Sequence, residues 1–506
     1  MEQAPFYAFA LGIVAFLVLS VFQPKRTGTI QTYFWGDGEL SRRSVISLIL
    51  SNSFSLNGLL YQVWLGYLIG WWALAVQAIW CSSLLLLWLR PDRLASIISE
   101  GTLHGILGER FGQPAARLAA VASTIGFAGL IGWEAVVGAT LLREFGGVST
   151  GLYVVLPILL ALASAYYTRN GGLAGNGLMN QFQNAFKVVI LIAAAILLWG
   201  LSEGGIGAAS ATKTLSESIV SLGGVAIAAN FAFSFMWQAV DMSVWQSLAG
   251  LNRSDATHAR EEIRKAIPTS ALSVFVFPGV VGTLIGVVIA GSSTQATDMN
   301  VLNVFIAGVA EFPLIGLLLI AAFAAAMLST IDGYSLAASQ AISWDLVRSS
   351  QVKKLLAQGE YRQPSEDDRM IIGLSRAIIF FVGVGGALSM IYLVFGLGIG
   401  LFNLVYVVVV GQMSLSGPVL LTLFGKERFT VRMGWIPIAF SLLGGLASLG
   451  TGLAGVPTAL TWAPVVTIAI SVTCSLLLYS RFAKFETPVS AGQATQNLRT
   501  DDVTHG

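Results

Sequence analysis

Apolar runs long enough to cross a bilayer recur along almost the whole chain. A transmembrane helix needs about 20 predominantly apolar residues. Windows of that kind predict thirteen spans, near residues 5–22, 44–69, 71–89, 115–141, 150–168, 182–202, 223–248, 267–291, 313–346, 370–392, 394–424, 434–453 and 461–480. The pattern therefore predicts an all-α integral membrane protein with about 13 transmembrane helices, followed by a polar tail.

Two of these spans carry polar side chains in their centre, where a helix facing lipid would not tolerate them. The second span contains "ILSNSFSLNGLLYQ" and the seventh contains "NFAFSFMWQAVDMSVWQS". The two spans are five apart, and a unit of five crossings that is repeated once must be inverted in the membrane. Interrupted helices at matching positions of inverted halves are typical of transporter binding sites. The spacing favours such a pair of repeats.

The ninth span raises a related question through "AAAMLSTIDGYSLAASQAISWDL", residues 324–346. Ser329, Thr330 and Asp332 lie near its middle, where unpaired polar groups cost several kcal/mol in hydrocarbon. Either an ion binds these groups, or a neighbouring helix and the helix's own carbonyls satisfy them. Asp332 has two further interpretations: it biases a site toward cations, or it pairs structurally with Arg376 or a backbone amide.

Composition narrows the class of protein. Of 506 residues, 55% are hydrophobic and 11% charged, and the mean hydropathy is +0.76. Soluble domains carry about 25% charged residues, so the chain is expected to lie in the lipid bilayer. The net charge of +2 says little about partners, and no basic patch with interleaved aromatics suggests nucleic acid.

Chemistry-bearing motifs are few. The two cysteines lie in apolar runs, and the three histidines show no metal-ligand spacing. Neither a Walker-type phosphate loop nor a nucleophile–base pair emerges. We therefore expect no enzyme activity, no organic cofactor and no drive by ATP.

Positive side chains indicate the orientation. Almost all lysines and arginines fall in alternate loops, and the opposite loops hold only Arg143 and Lys213. Positive residues concentrate on the cytoplasmic side. This predicts a multi-pass protein of the plasma (cytoplasmic) membrane, with the N-terminus outside and the C-terminus cytoplasmic. The first helix lacks the basic flank of a signal peptide and is expected to be retained.

Several short stretches, in order between about residues 5 and 425, together resemble the sodium:solute symporter family. They are "TYFWGDGELSRRS" (32–44), "GERFG" (108–112), "RNGGLAGNGLMNQFQ" (169–183), "DMSVWQSLAG" (241–250) and the ninth-span segment. That family is similar in fold to the leucine transporter, with two inverted five-helix repeats. The resemblance implies an N-terminal helix and loop at 1–43, repeats at 44–202 and 223–424, accessory helices at 434–480 and a cytoplasmic tail at 481–506.

The same resemblance implies sodium as the coupling ion. Its ligands would be the hydroxyls of Ser329 and Thr330 and the carbonyls of Ala326, Leu50 and Ser53. Two features depart from the family's pattern. Asn180 stands where many members carry an acidic residue on the ion's exit path, and Lys187 nearby would repel sodium. We expect Lys187 to snorkel toward the headgroups, and sodium versus proton coupling stays open.

Polar side chains near the helix breaks, and on spans expected to face them, are the candidates for substrate binding. They are Asn57, Gln62, Glu134, Gln238, Asp241 and Gln412. Each aromatic ring of Trp64, Trp237, Trp245 and Tyr406 is expected either to cover a ligand or to lie at the membrane interface. No intramembrane arginine is placed to clamp a carboxylate, which favours neutral or zwitterionic solutes.

These expectations combine into a sodium-coupled importer of a small polar solute that works by alternating access. One alternative is a proton-coupled or sodium-independent carrier on the same fold, in which Glu134 or Asp241 titrates. Another is a membrane sensor that acts with a separate signalling partner. The segment "DMSVWQS" is slightly similar to the urea-transporter branch of the family, but it does not name the solute. A monomer and a homodimer are both compatible with the sequence.

Overall fold

A computed structural model describes the protein at residues 4–21, 28–36, 39–98, 101–146, 150–169, 171–201, 213–251, 256–291, 295–309, 311–348, 350–351, 354–355, 363–426 and 429–485. Within these ranges the protein is almost entirely helical. The predicted tail at 481–506 lies mostly outside the described residues.

The first half of the chain contains ten helices. They are α1 (Ala4–Val21), α2 (Ile30–Trp35), α3 (Arg42–Ser53), α4 (Leu56–Ile69), α5 (Ala73–Trp88), α6 (Pro91–Ile98), α7 (Leu103–Phe111), α8 (Gln113–Gly146), α9 (Thr150–Thr168) and α10 (Gly172–Leu201).

The second half repeats the alternation of long and short helices. They are α11 (Leu215–Leu222), α12 (Gly224–Val240), α13 (Met242–Ala249), α14 (Ala256–Val274), α15 (Val281–Gly291), α16 (Val301–Gly308), α17 (Pro313–Gln340), α18 (Glu366–Ile391), α19 (Leu404–Val408), α20 (Val410–Met413), α21 (Ser416–Phe424), α22 (Ile436–Leu453) and α23 (Pro457–Phe482). Short π-helical segments at Phe275–Val280, Ala341–Val347 and Tyr392–Gly396 follow α14, α17 and α18. Strands β1 (Phe429–Val431) and β2 (Ala483–Phe485) pair antiparallel.

Both spans that were expected to be interrupted are broken. Helix α3 ends at Ser53 and α4 begins at Leu56, with the Ser55 hydroxyl accepting the Gly58 amide at 2.8 Å. Helix α12 gives way to α13 at Asp241, whose carboxylate accepts the Ser243 amide at 2.8 Å. Each second half-helix therefore starts inside the protein with a side-chain cap on its free N–H groups.

The predicted number of spans is tested only in part. Among the described residues, ten helical stretches are long and apolar enough to cross a membrane, and α1 is a shorter apolar helix. The predicted span at 394–424 is not a single helix, because it is divided into α19, α20 and α21. Three glycines at positions 396, 398 and 400 precede these helices, and Gly398 has a positive φ of 69°. Glycine disfavours a continuous helix.

The packing of α8 against α18 requires glycine, and this gives a first prediction. A Cβ placed on Gly386 would overlap the Ala128 carbonyl of α8, whereas one on Gly385 meets nothing within 4 Å. Overpacking costs about 1–3 kcal/mol, or roughly 1–3 °C in melting temperature for a protein of this size. We expect Gly386→Ala to show that loss in a thermal melt and Gly385→Ala to match the unaltered protein. Equal melting of the two variants would contradict the close approach.

Candidate functional site

A cavity of about 40 Å³ lies between the two broken helices. Side chains of α3, α4, α5, α8, α12, α17 and α19 form its wall, so it draws on both predicted repeats. The lining residues are Asn52, Ser53, Ser55, Asn57, Gly58, Tyr61, Trp80, Leu130, Trp133, Trp237, Tyr334, Val405 and Val409. A single water molecule needs about 10–15 Å³ of cavity volume. The cavity therefore holds a few waters and must widen to admit a solute.

Aromatic rings dominate the wall. Trp80 of α5 stacks on Trp237 of α12, with ring centroids 5.4 Å apart and planes 27° from parallel. The Tyr61 hydroxyl donates to the Asn230 side-chain carbonyl, and the amide of Asn230 donates to the Tyr406 hydroxyl at 2.9 Å. These bonds join α4, α12 and α19 at one side of the cavity.

The ammonium group of Lys187 occupies the end of α3. Its nitrogen donates to the Phe54 carbonyl and to the Ser329 hydroxyl, each at 3.0 Å, and lies 5.0 Å from the centre of the Phe54 ring. The side chain is 1% exposed. The expectation that Lys187 snorkels is therefore wrong, because the carbonyl left free at the helix break binds the ammonium inside the bundle.

The other groups expected to hold sodium surround this ammonium only in part. Thr330 donates to the carbonyls of Ser51 and Ala326, at 2.9 and 3.0 Å, and Ser329 donates to the Ala326 carbonyl at 3.0 Å.

Leu50 and Ser53 contribute differently from the expectation. The Leu50 carbonyl accepts the Phe54 amide at 2.6 Å, and the hydroxyl of Ser53 accepts the Gln238 amide at 3.1 Å. The carbonyls of the break that meet α10 and α17 are thus those of Ser51, Asn52 and Phe54, since the Tyr334 hydroxyl donates to Asn52 at 3.3 Å.

Glu134 supports the break from the opposite side. Its two carboxylate oxygens accept the backbone amides of Leu56 and Asn57, at 3.2 and 3.1 Å, and the residue is 0% exposed. A carboxylate at a helix N-terminus is stabilised by the free N–H groups there. Glu134 and Lys187 also attract each other. The break between α3 and α4 therefore lies between a buried anion from α8 and a buried cation from α10.

Only one of the six predicted substrate residues, Asn57, lines the cavity. Gln62 donates to the Thr283 hydroxyl at 2.7 Å, and both amide atoms of the buried Gln412 are without a hydrogen-bond partner. Gln238, Glu134 and Asp241 are engaged in the contacts given above, although Asp241 Oδ2 has no hydrogen-bond partner. Their assignment to the substrate stays a prediction.

Of the thirteen lining residues, only Ser53 and Asn57 were among the predicted site residues; the ones that sequence reasoning missed include Asn52, Trp133 and Tyr334. Tyr334 lies one helical turn after Thr330, and Trp133 directly precedes Glu134, so both adjoin candidates that polarity had singled out. Trp80 lies in an apolar run without any such signal.

A second group of buried polar side chains surrounds Asp332. Thr168 and Asn176 lie beside its carboxylate, but neither oxygen has a partner at hydrogen-bond distance and angle. Both amide atoms of the fully buried Asn180 are likewise without a partner. Arg376 donates from Nε to the Arg169 carbonyl at 3.0 Å. The anticipated pair between Asp332 and Arg376 is not formed.

Ser123, His104 and Asp345 follow one another in the order of a hydrolase triad. The His104 ring nitrogens lie 2.9 Å from the Ser123 hydroxyl and 2.8 Å from the Asp345 carboxylate. Their exposures are 0%, 0% and 6%, so the serine is not presented to a substrate. The three residues link α7, α8 and the segment after α17, and we assign them a structural role.

Comparison with solved structures identifies the fold. The chain is similar to a Na⁺-coupled sialic acid symporter in a substrate-bound outward-open state, with a TM-score of 0.72, 18% identity, and coverage of 96% of this chain and 99% of that one.

It is also similar to Mhp1, a nucleobase-cation-symport-1 family transporter, with a TM-score of 0.51, 13% identity and coverage of 94% and 99%. A manganese transporter of Eremococcus coleocola gives a TM-score of 0.51, 12% identity and coverage of 91% and 97%. No protein-family model matches the chain, and no curated protein matches it by sequence. The leucine-transporter-like fold expected from the sequence is confirmed.

Proposed function

We propose that the protein moves a small polar solute across the membrane by alternating access, with the Lys187 ammonium in the place that a coupling sodium ion would take. The fold is shared with secondary transporters, and the cavity lies between the two broken helices. The proposal that transport does not need sodium rests on two hydrogen bonds of 3.0 Å, from the Lys187 ammonium to the Phe54 carbonyl and to the Ser329 hydroxyl.

Electrostatics favours one cation at this position. Two unit positive charges 4 Å apart repel by about 4 kcal/mol at an effective dielectric constant of 20. A sodium ion bound by Ser329 would therefore meet strong repulsion from Lys187. A tethered ammonium also cannot leave with the solute, so it stabilises the break without being transported. The energy for import then comes from a proton or from the solute gradient alone.

Sodium binding by the purified full-length protein tests this proposal without a known solute. A ligand that binds only the folded state, present at a concentration of 100 times its Kd, adds about 2.7 kcal/mol to the free energy of unfolding. We expect melting temperatures in sodium chloride and choline chloride, at equal ionic strength, to agree within error. A sodium-specific rise would contradict the proposal. Uptake into proteoliposomes with and without a pH gradient then separates a proton-coupled carrier from an uncoupled one.

A second candidate is the sodium-coupled symporter expected from the sequence. Two observations favour it: the likeness to a Na⁺-coupled symporter, and the approach of Ala326, Ser329 and Thr330 to the end of α3. In that case Lys187 must withdraw before sodium binds. Sodium would then raise the melting temperature of the unaltered protein, and Ser329→Ala would remove the rise. The outside position of the N-terminus is proposed with either candidate, and the sensor alternative stays a prediction.

A further inference from the structure

We propose that the cavity between the broken helices selects a flat, neutral solute with both amide N–H and carbonyl groups, such as a cyclic amide or ureide. This inference rests on the proposed transport function and names the class of its substrate. Its basis is three buried polar atoms on lining residues that have no hydrogen-bond partner: Asn52 Oδ1, which lies beside Gly333, Asn57 Nδ2 and Trp133 Nε1. The three residues are 8%, 5% and 3% exposed.

Neighbouring hydrogen bonds determine which atom of Asn52 is available to a solute. The Ser243 hydroxyl donates to Asp241 at 2.7 Å, so it accepts from Asn52 Nδ2 at 2.8 Å. Asn52 is left with its carbonyl oxygen as the free group. Asp241 therefore acts on the cavity indirectly, by holding the hydroxyl that orients Asn52.

The same reasoning fixes the amide of Asn57. The hydroxyl of Ser55 accepts the Gly58 amide at 2.8 Å and donates to Asn57 Oδ1 at 2.7 Å. The NH₂ group of Asn57 is left free. Since an indole is a donor only, the wall offers two donors and one acceptor. A solute that carries both carbonyl and N–H groups satisfies all three, and a solute with acceptors alone leaves Asn52 unpaired.

Charge and shape narrow the class further. Of the residues that the structure describes, those lining the cavity include no charged side chain. The nearby carboxylate of Glu134 already caps α4 with both oxygens, and Asp241 caps α13 with Oδ1, while its buried Oδ2 has no hydrogen-bond partner. A negatively charged solute would lose its hydration without gaining a counter-ion from the lining residues. The stacked rings of Trp80 and Trp237 present a broad face, against which a planar solute packs better than a puckered, hydroxyl-rich one.

Thermal melts of the purified full-length protein test this class. Uracil is the flat probe, 1,3-dimethyluracil is its matched control without N–H groups, and glucose and acetate represent puckered and charged solutes. We expect uracil to raise the melting temperature in a saturable way, and each of the other three to shift it at least five-fold less at equal concentration. No shift with uracil, or an equal shift with 1,3-dimethyluracil, glucose or acetate, would overturn the proposal.

Two variants locate the binding. Asn52→Leu removes the acceptor, and Trp133→Phe removes an N–H while keeping a ring; each is expected to raise the apparent Kd for uracil at least ten-fold. Trp462→Phe, in α23 and away from the cavity, is the matched control and should bind uracil as the unaltered protein does. Unchanged affinity in both cavity variants would place the binding elsewhere and overturn the assignment.

The same melts separate this inference from the function it rests on. An equal uracil shift in sodium and choline chloride supports both proposals. A uracil shift that sodium enlarges supports the substrate class and contradicts the role of Lys187. A sodium-insensitive protein that responds to glucose or acetate and not to uracil contradicts the substrate class alone.

Discussion

Lys187→Ala is expected to turn a sodium-insensitive protein into one that sodium stabilises. The substitution removes the only ammonium that contacts Phe54 and Ser329 among the described residues and leaves Glu134 without its buried counter-charge. Removing one member of a buried charge pair costs about 3–5 kcal/mol, which corresponds to roughly 3–5 °C in melting temperature for a chain of this length. We expect that loss in choline chloride, together with at least a ten-fold fall in solute uptake.

Sodium should then recover part of the stability, because the cavity left by the side chain is lined by oxygen atoms. The Phe54 carbonyl and the Ser329 hydroxyl bind the ammonium directly, and the carbonyls of Ala326 and Ser51 accept hydrogen bonds from Ser329 and Thr330 beside it. Sodium prefers such oxygen ligands. Adding Ser329→Ala to Lys187→Ala should reduce the recovery.

Lys213→Ala is the matched control for this experiment. Lys213 also donates to a helix carbonyl, that of Leu68 at 2.6 Å, but it is part of a different region. We expect its melting temperature to be the same in sodium and choline. If Lys187→Ala also melts equally in the two salts, the ammonium does not stand in for a sodium ion.

The two helix breaks could be predicted from the sequence because their cause is local. Apolar runs interrupted by Ser, Asn, Gly and Asp need internal hydrogen-bond partners, and such runs have few solutions inside a membrane. Ser55 and Asp241 are good caps wherever they occur, and the structure uses both in this way. Because the two breaks lie five spans apart, they also predicted the pair of inverted five-helix repeats.

The sequence could not show that Lys187 binds the break between α3 and α4, because this contact depends on how α10 is rotated about its own axis. Lys187 follows "NQFQNAF" and precedes "VVILI", so a snorkelling lysine and an inward lysine have the same local pattern. Helix α10 packs against both α3 and α17, and that packing directs Lys187 to Phe54 and Ser329. Hydropathy reports how apolar a segment is, and it does not report which face meets a neighbour.

The substrate candidates show a related limit. Polar residues near a break were selected as ligands, yet Glu134, Gln238 and Asp241 are engaged in holding the breaks together. The same unpaired backbone groups that make a break a binding site also attract the protein's own polar side chains. Polarity therefore located the site to within a helical turn, while the free atoms became apparent only from the hydrogen bonds.

Glu134→Gln is expected to damage the protein as severely as the loss of Lys187. The carboxylate accepts two amides with its two oxygens, whereas a glutamine has one oxygen and must turn an NH₂ group toward Leu56 or Asn57. One of these two backbone N–H groups then loses its acceptor and faces the NH₂ group of the glutamine, which is also a donor. A lost charge-assisted hydrogen bond in a buried site costs about 1.5–3 kcal/mol, and the orphaned amide adds about 1–3. We expect a melting temperature roughly 2–6 °C lower and little transport.

Glu366→Gln is the matched control, since Glu366 also lies in the first turn of a helix, α18, but is exposed to solvent. A solvated carboxylate at a helix N-terminus contributes about 0.3–1 kcal/mol, so its melting temperature should change little. Combining Glu134→Gln with Lys187→Ala should cost less than the sum of the single losses, because each single variant leaves one buried charge unpaired. Additive losses, or a Glu134→Gln variant as stable as Glu366→Gln, would mean that the two charges do not brace the break together.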